Sequence, residues 1–151
     1  MDKRALGPLI EMFDTQDKVT RSVVEEAVRG LLSIIEQEDY DALDQVQVEK
    51  LLGALKTTED LEFAAAVLGT AKRLGGRETI APLEQFASGR SPMKKKDKER
   101  AISLAKMALA DVRMRIAKQK IDTRLEEIGG SVDVYATRVL GSDGQSQELN
   151  A

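Results

Sequence analysis

The sequence predicts an all-α chain: about three helical hairpins stacked side by side as a solenoid, closed by a C-terminal capping helix. The first observation behind this is a 37-residue period. Ala27, Ala64 and Ala101 fall in register, as do Leu31, Leu68 and Ala105, and Ile34, Ala71 and Ala108. A companion set, Leu6, Leu43 and Ile80 with Leu9, Val46 and Leu83, keeps the same step. The second is the i, i+3, i+4, i+7 spacing of apolar residues in nearly every segment. The third is composition: hydrophobic content is 42%, aromatic content 3%, and tryptophan is absent. A core of Leu, Ile, Val and Ala suits close helix packing better than pockets for flat ligands.

Residues 3–14 read as a first short helix, with Leu6, Leu9, Ile10 and Phe13 on one face and Pro8 in the first two turns, where a missing donor costs least. After the capping-rich turn 14–17, a longer helix is expected to run to about Glu38, its buried stripe formed by Val24, Ala27, Val28, Leu31, Ile34 and Ile35. Residues 36–44 read as a solvated acidic connector. Its alternating Asp39 and Asp41 invite a calcium reading, but Asp44 stands at the glycine position of an EF-hand and Lys50 at its twelfth.

The second hairpin spans about 42–75. Leu43, Val46, Leu51, Leu52 and Leu55 mark its first helix, which ends near Lys56. Thr57-Thr58-Glu59-Asp60 supplies an N-cap hydroxyl and acids for the next helix. Leu74-Gly75-Gly76 then stops that helix, with glycine as a left-handed C-cap. In the third hairpin Ile80, Leu83, Phe86 and Ala87 point inward, and the stretch 88–92 breaks the helix. A basic run leads into a stripe of Ala101, Leu104, Ala105, Ala108, Leu109, Val112 and Ile116. Beyond it the stripe slips to Ile121, Leu125 and Ile128, which predicts a kink or break near Lys118–Lys120 and then a further helical segment.

The expected boundaries are a repeat domain over 1–128 (repeats about 3–39, 40–76 and 77–117), a hinge and short amphipathic helix over 129–141, and a disordered tail over 142–151. Val132, Tyr135, Ala136, Val139 and Leu140 give the short helix an apolar stripe. It is expected to cover the open end of the stack, the alternative being a partner.

Cysteine and histidine are both absent. That removes thiol nucleophiles, disulfides, imidazole ligands and the commonest general base. No phosphate loop, dinucleotide glycine motif or nucleophile elbow is present. Glu25, Glu62 and Glu99 recur at the repeat period, but each falls near the start of a second helix, where a carboxylate favours the dipole. No enzyme, cofactor or metal is expected. The N-terminus lacks an apolar signal core and no stretch is long enough to span a bilayer, so a cytoplasmic protein without membrane contact is expected. The net charge of −3 hides a polarity: residues 1–75 carry 9 basic against 15 acidic side chains, residues 76–128 carry 13 against 8.

In the stretch RLGGRETIAPLEQF a helix ends in Leu74-Gly75, a short turn follows, and the next helix opens with Ile80, Pro82 and Leu83. This resembles the HEAT and HEAT-like repeats of the armadillo-type α-solenoids, over about residues 5–112. Pro8-Leu9 repeats the proline feature in the first unit, and Gln45-Val46 replaces it in the second. The family's aspartate between the paired helices has counterparts in Asp60 and Asp97, with Val23 in the first unit; its arginine early in the second helix has only Arg100. A tetratricopeptide array is disfavoured by the period and by the missing tryptophan and tyrosine signature. The resemblance implies a right-handed solenoid whose second helices line a concave side.

The function expected on these grounds is a non-catalytic protein–protein interaction module, a scaffold or adaptor. The resemblance implies contacts at the non-stripe positions Arg21, Arg29, Ser33, Thr70, Arg73, Ser103 and Met107. Charge adds the basic loop Lys94, Lys95 and Lys96, suited to a partner protein that is acidic at the contact. A second copy of the chain is a further expected partner. The alternative is a nucleic-acid module using a basic strip from Lys94 through Lys106, Arg113, Arg115, Lys118 and Lys120 to Arg124. Against it, Asp97 and Glu99 interrupt the run, no aromatic is interleaved, and the isoelectric point is about 5.2.

Overall fold

Helices account for the regular structure throughout residues 2–15 and 17–127, the part of the chain that the structure, a computed structural model, describes. Among the described residues there are seven α-helices and no strand: α1 (Leu6–Glu11), α2 (Lys18–Leu32), α3 (Gln37–Asp41), α4 (Gln45–Gly53), α5 (Leu61–Leu74), α6 (Ile80–Ala87) and α7 (Lys95–Glu127). The chain divides into two compact units, Met1–Met114 and Arg115–Ala151. Of the second, residues 115–127 are described, and they form the C-terminal part of α7, with Ile121 and Leu125 exposed. The expected hinge, the helix over 132–140 and the tail over 142–151 lie outside the described residues.

Within the first unit the repeat leaves a local imprint. α1 and α6 begin two periods apart, at Leu6 and Ile80, each preceded by a three-residue 3-10 turn (Lys3–Ala5 and Arg77–Thr79) and each carrying proline at its third position. Proline there removes only an amide that would lack an intrahelical partner anyway. α1 packs on α2 and on α4, α4 on α6, and α2 on α5. Leu6, Ile10, Val28, Leu31, Leu51, Leu55, Phe63, Leu68, Leu83 and Phe86 are fully buried between them. A side chain of this size stabilises by roughly 1.5–3 kcal/mol when buried. α7 contributes mainly Ala101, Ala105 and Ala108, each at 0% exposure, so its backbone approaches closely. Phe13 meets Phe63 edge to face, with ring centroids 5.7 Å apart.

Polar links tie neighbouring elements at sequence separations close to the period. Gln47 donates to Glu11 at 2.7 Å and Lys50 to Asp14 at 2.7 Å, joining α4 to the α1 region across 36 residues. Gln37 donates to the Leu74 carbonyl across 37 residues, and the Tyr40 hydroxyl to Glu78 at 2.6 Å across 38. Arg29 on α2 pairs with Glu62 on α5 across 33. Lys72 lies 3.9 Å from Asp111 on α7, and Arg113 pairs with Glu84 on α6.

The structure departs from expectation in six places. α2 ends at Leu32 rather than near Glu38, which leaves Ile34 43% exposed while Leu32 and Ile35 are buried. The acidic connector is largely a helix: α3 is opened by a Glu36–Asp39 capping box and buries Tyr40. Val46 is 57% exposed, because α4 starts at Gln45 and turns Val48 inward instead. The cap of α5 is a carboxylate and not a threonine hydroxyl, since Asp60 accepts from the Glu62 and Phe63 amides. Gly75 is extended (φ −71°, ψ 151°), not left-handed; glycine is needed because a Cβ would stand 2.6 Å from the Ala71 carbonyl oxygen and from Thr79 Cγ2. The left-handed residue is Gly89, at φ 102°, in the break before α7. Finally, α7 is unbroken through Lys118–Lys120, where a kink or break was expected.

Candidate partner-binding face and cleft

The residues singled out from sequence divide by the work they do. Thr70 is buried, and its hydroxyl donates to the Ala66 carbonyl at 2.8 Å. Arg73, in the last turn of α5, donates to the carbonyl oxygens of Leu32 (3.1 Å) and Ile35 (3.5 Å), and so caps the C-terminal end of α2. Ser33 is exposed and bonds the Gly30 carbonyl, and Arg29 is held by Glu62. Ser103 and Met107 are exposed on α7, Met107 at 50%. Arg21 lines a cleft with Glu25. Lys94, Lys95 and Lys96 are exposed at the start of α7. The acids of the former calcium reading have local partners: Asp39 accepts from the Glu36 amide, Asp41 from Gln37, and Asp44 from the Gln47 amide. Among the described residues no group of three acidic side chains is arranged to hold a metal ion.

α5 turns a strip of small residues outward. Glu62, Ala65, Ala66, Gly69, Lys72 and Arg73 follow helical spacing, and Ala65, Ala66 and Gly69 are half-buried. A Cβ built on Gly69 would meet nothing within 4 Å, so the space over this turn is open. The strip is bordered by ion pairs, Arg29–Glu62 toward α2 and Lys72–Asp111 toward α7. A surface lined by Ala and Gly admits another backbone to roughly 8 Å rather than 10 Å between helix axes.

The second feature is a cleft of about 560 Å³ between the N-terminal part of α2 and the loop before α5. It exists because α2 is longer than the repeat requires. One period before Leu61, the first residue of α5, is Val24, yet α2 starts at Lys18, capped by Asp17. The six extra residues overhang the loop 57–60 and present Val19 and Val23 at 72% and 61% exposure. Beside them lies Glu25, only 8% exposed, which accepts from the Thr58 hydroxyl at 3.2 Å. Burial pushes the Glu25 carboxyl above its ordinary range; the Thr58 bond opposes this, and Asp60 reinforces it.

The 37-residue period gave no signal for either feature. Val19 drew no reading from sequence, Val23 stood only at the family's aspartate position, and Glu25 read as one rung of a helix-start ladder, which gave no hint of its burial. Among the described residues no helix is long and apolar enough to cross a membrane. No family model, no characterised protein and no solved structure matches this chain.

Proposed function

We propose that the chain is a non-catalytic interaction module of HEAT-like type, a right-handed solenoid of helical hairpins. Its partner is a protein, which seats a helical segment over the small-residue strip of α5. The observation that carries this reading is the open space over Gly69, between two inter-helix ion pairs on a helix that is otherwise central to the core. Polar links recurring at separations of 33 to 41 residues support the stacked-hairpin arrangement.

The exposed Lys94, Lys95 and Lys96 favour a second reading, in which a nucleic-acid backbone lies along the start of α7. Lys95 and Lys96, in the first turn of a long helix beside Asp97, oppose its dipole, and a phosphate would relieve that opposition. The overall acidity of the chain puts this second. Affinity purification with and without nuclease, read by mass spectrometry, separates the two. A stoichiometric protein that survives nuclease is the expected result; partners that vanish with nuclease would replace the first reading by the second.

A further inference from the structure

Among the described residues α7 is apolar on two opposite faces, and one of them is covered. Its inward face, with Ala101, Ala105, Ala108, Leu109 and Val112, is buried, and no described residue beyond Val112 is. Helical spacing sets Met107, Met114, Ile121 and Leu125 together on the other side of the helix, and all four are exposed. Over 115–127, the described part of the second unit, every residue from Ala117 to Glu127 is exposed, Ile121 at 60% and Leu125 at 46%. A helix shorter than about 12–15 residues is marginal in water when nothing packs on it. This stretch therefore gains from a surface that takes its stripe of Ala117, Ile121 and Leu125.

The charges beside the stripe select the surface. Along one flank, at steps of three and four, stand Arg115, Lys118, Asp122 and Glu126, two cations followed by two anions. The same stretch of a second copy, running in the opposite direction, brings its Asp122 and Glu126 to Lys118 and Arg115; a parallel copy brings like charges together. On the other flank Arg124 falls opposite Ala117 of the copy, and Lys120 stands farther round the helix. We propose that residues 115–127 are a self-association segment, which pairs antiparallel with the same segment of a second copy. Ile121 and Leu125 form the seam, and Arg115 and Lys118 face Asp122 and Glu126 across it. The contact does not depend on the reading of the α5 strip, and a pair of chains presents that strip twice.

Sedimentation equilibrium of the full chain at low salt, over concentrations up to about 0.5 mM, tests the proposal. Two short helices make a small interface, so a monomer–dimer equilibrium with a Kd on the order of 10–100 μM is expected. Ile121→Gln combined with Leu125→Gln should weaken pairing about tenfold or more. The melting temperature of that variant at dilution should not change, because both side chains are exposed in the monomer. Arg115→Glu with Lys118→Glu should stay monomeric, and so should Asp122→Lys with Glu126→Lys, since each gives a flank of one sign. An equimolar mixture of these two variants should dimerise. Gly69→Arg should pair as the native chain does, which keeps this test apart from that of the α5 strip. A native chain that is monomeric throughout would overturn the proposal. So would a dimer indifferent to the two glutamines, or a charge-reversed mixture that stays monomeric. A monomer whose melting temperature falls with the two glutamines would overturn it as well, since the stripe would then be covered from within the same chain.

Discussion

Arg73 Nη2 donates to the Leu32 carbonyl at 3.1 Å, so the last turn of α5 closes the C-terminal end of α2 across 41 residues. A helix end leaves four carbonyls without intrahelical partners, and here α5 supplies the donor. Arg73→Ala should therefore cost about 1 kcal/mol in a urea melt, by loss of a charged donor to backbone acceptors. Arg73→Lys, with a point charge in place of a fork, should recover only part of it. A variant as stable as the parent would show that water serves the α2 carbonyls equally well.

Gly75→Ala is expected to be far more costly than its chemistry suggests. The new methyl would stand 2.6 Å from both the Ala71 carbonyl oxygen and Thr79 Cγ2, and Thr79 is fully buried. The turn between α5 and α6 must shift to admit it, at about 1–3 kcal/mol. Thermal melts of the two proteins decide the point. Gly75→Ala combined with Thr79→Ser, which removes the Cγ2 methyl, should regain part of the loss, with the Ala71 contact still in place.

Glu25 gives a pH signature. Its pKa is raised in the folded chain, so between the unfolded and folded values the native state holds the proton more tightly. The penalty of the buried charge is then fully present above the folded value and relieved as pH falls toward the unfolded one. Asp17 and Asp39, both lowered, work in the opposite sense, contributing stability that is lost in acid. The difference between the native chain and Glu25→Gln isolates the first effect. Glu25→Gln should be more stable by about 1 kcal/mol at neutral pH, the scale for a partly compensated buried polar group, and its advantage should shrink on acidification. A constant difference across pH would contradict the raised value.

Lys95→Glu and Lys96→Glu should each stabilise the fold by about 0.3–1 kcal/mol at low salt, because they place an anion instead of a cation in the first turn of α7. The gain should fade as salt rises. Any nucleic-acid binding should be lost in the same variants, whereas capture of the protein partner proposed for α5 should survive. Destabilisation by either change would mean that the lysines hold the loop in place.

The helical character of the described segments other than α3 was legible in the apolar spacing, which placed helices over residues 3–14 and 77–87, where the 3-10 turns and α helices beginning at Lys3 and Arg77 are found. What the period missed are the places where helix ends and inward faces depart from it. α2 starts six residues early and stops at Leu32, so the stripe position Ile34 falls outside the helix and is solvent-facing. Val46 shares a register with Leu9 and Leu83, but a helix that begins at Gln45, capped by Asp44 in a capping box, turns that residue outward. Tyr40 in an acidic stretch gave no hint of burial, because its place depends on Glu78, a partner 38 residues away. Of the candidate site residues, Thr70 and Arg73 carry polar groups on a helix face that the period marks as open, yet each spends them on backbone carbonyls within the fold. The α5 strip escaped notice since alanine and glycine carry no chemistry that a motif would reveal.

The most direct measurement is capture of the partner by the native chain and by Gly69→Arg in parallel, with the melting temperature of each recorded. A side chain at Gly69 meets nothing within 4 Å, and arginine in place of glycine gains roughly 0.8 kcal/mol of helix propensity, so the variant should melt at the same temperature or higher. Its guanidinium would occupy the space over α5, and loss of the protein partner is the result this account expects. Full retention of that partner by a folded Gly69→Arg chain would contradict it.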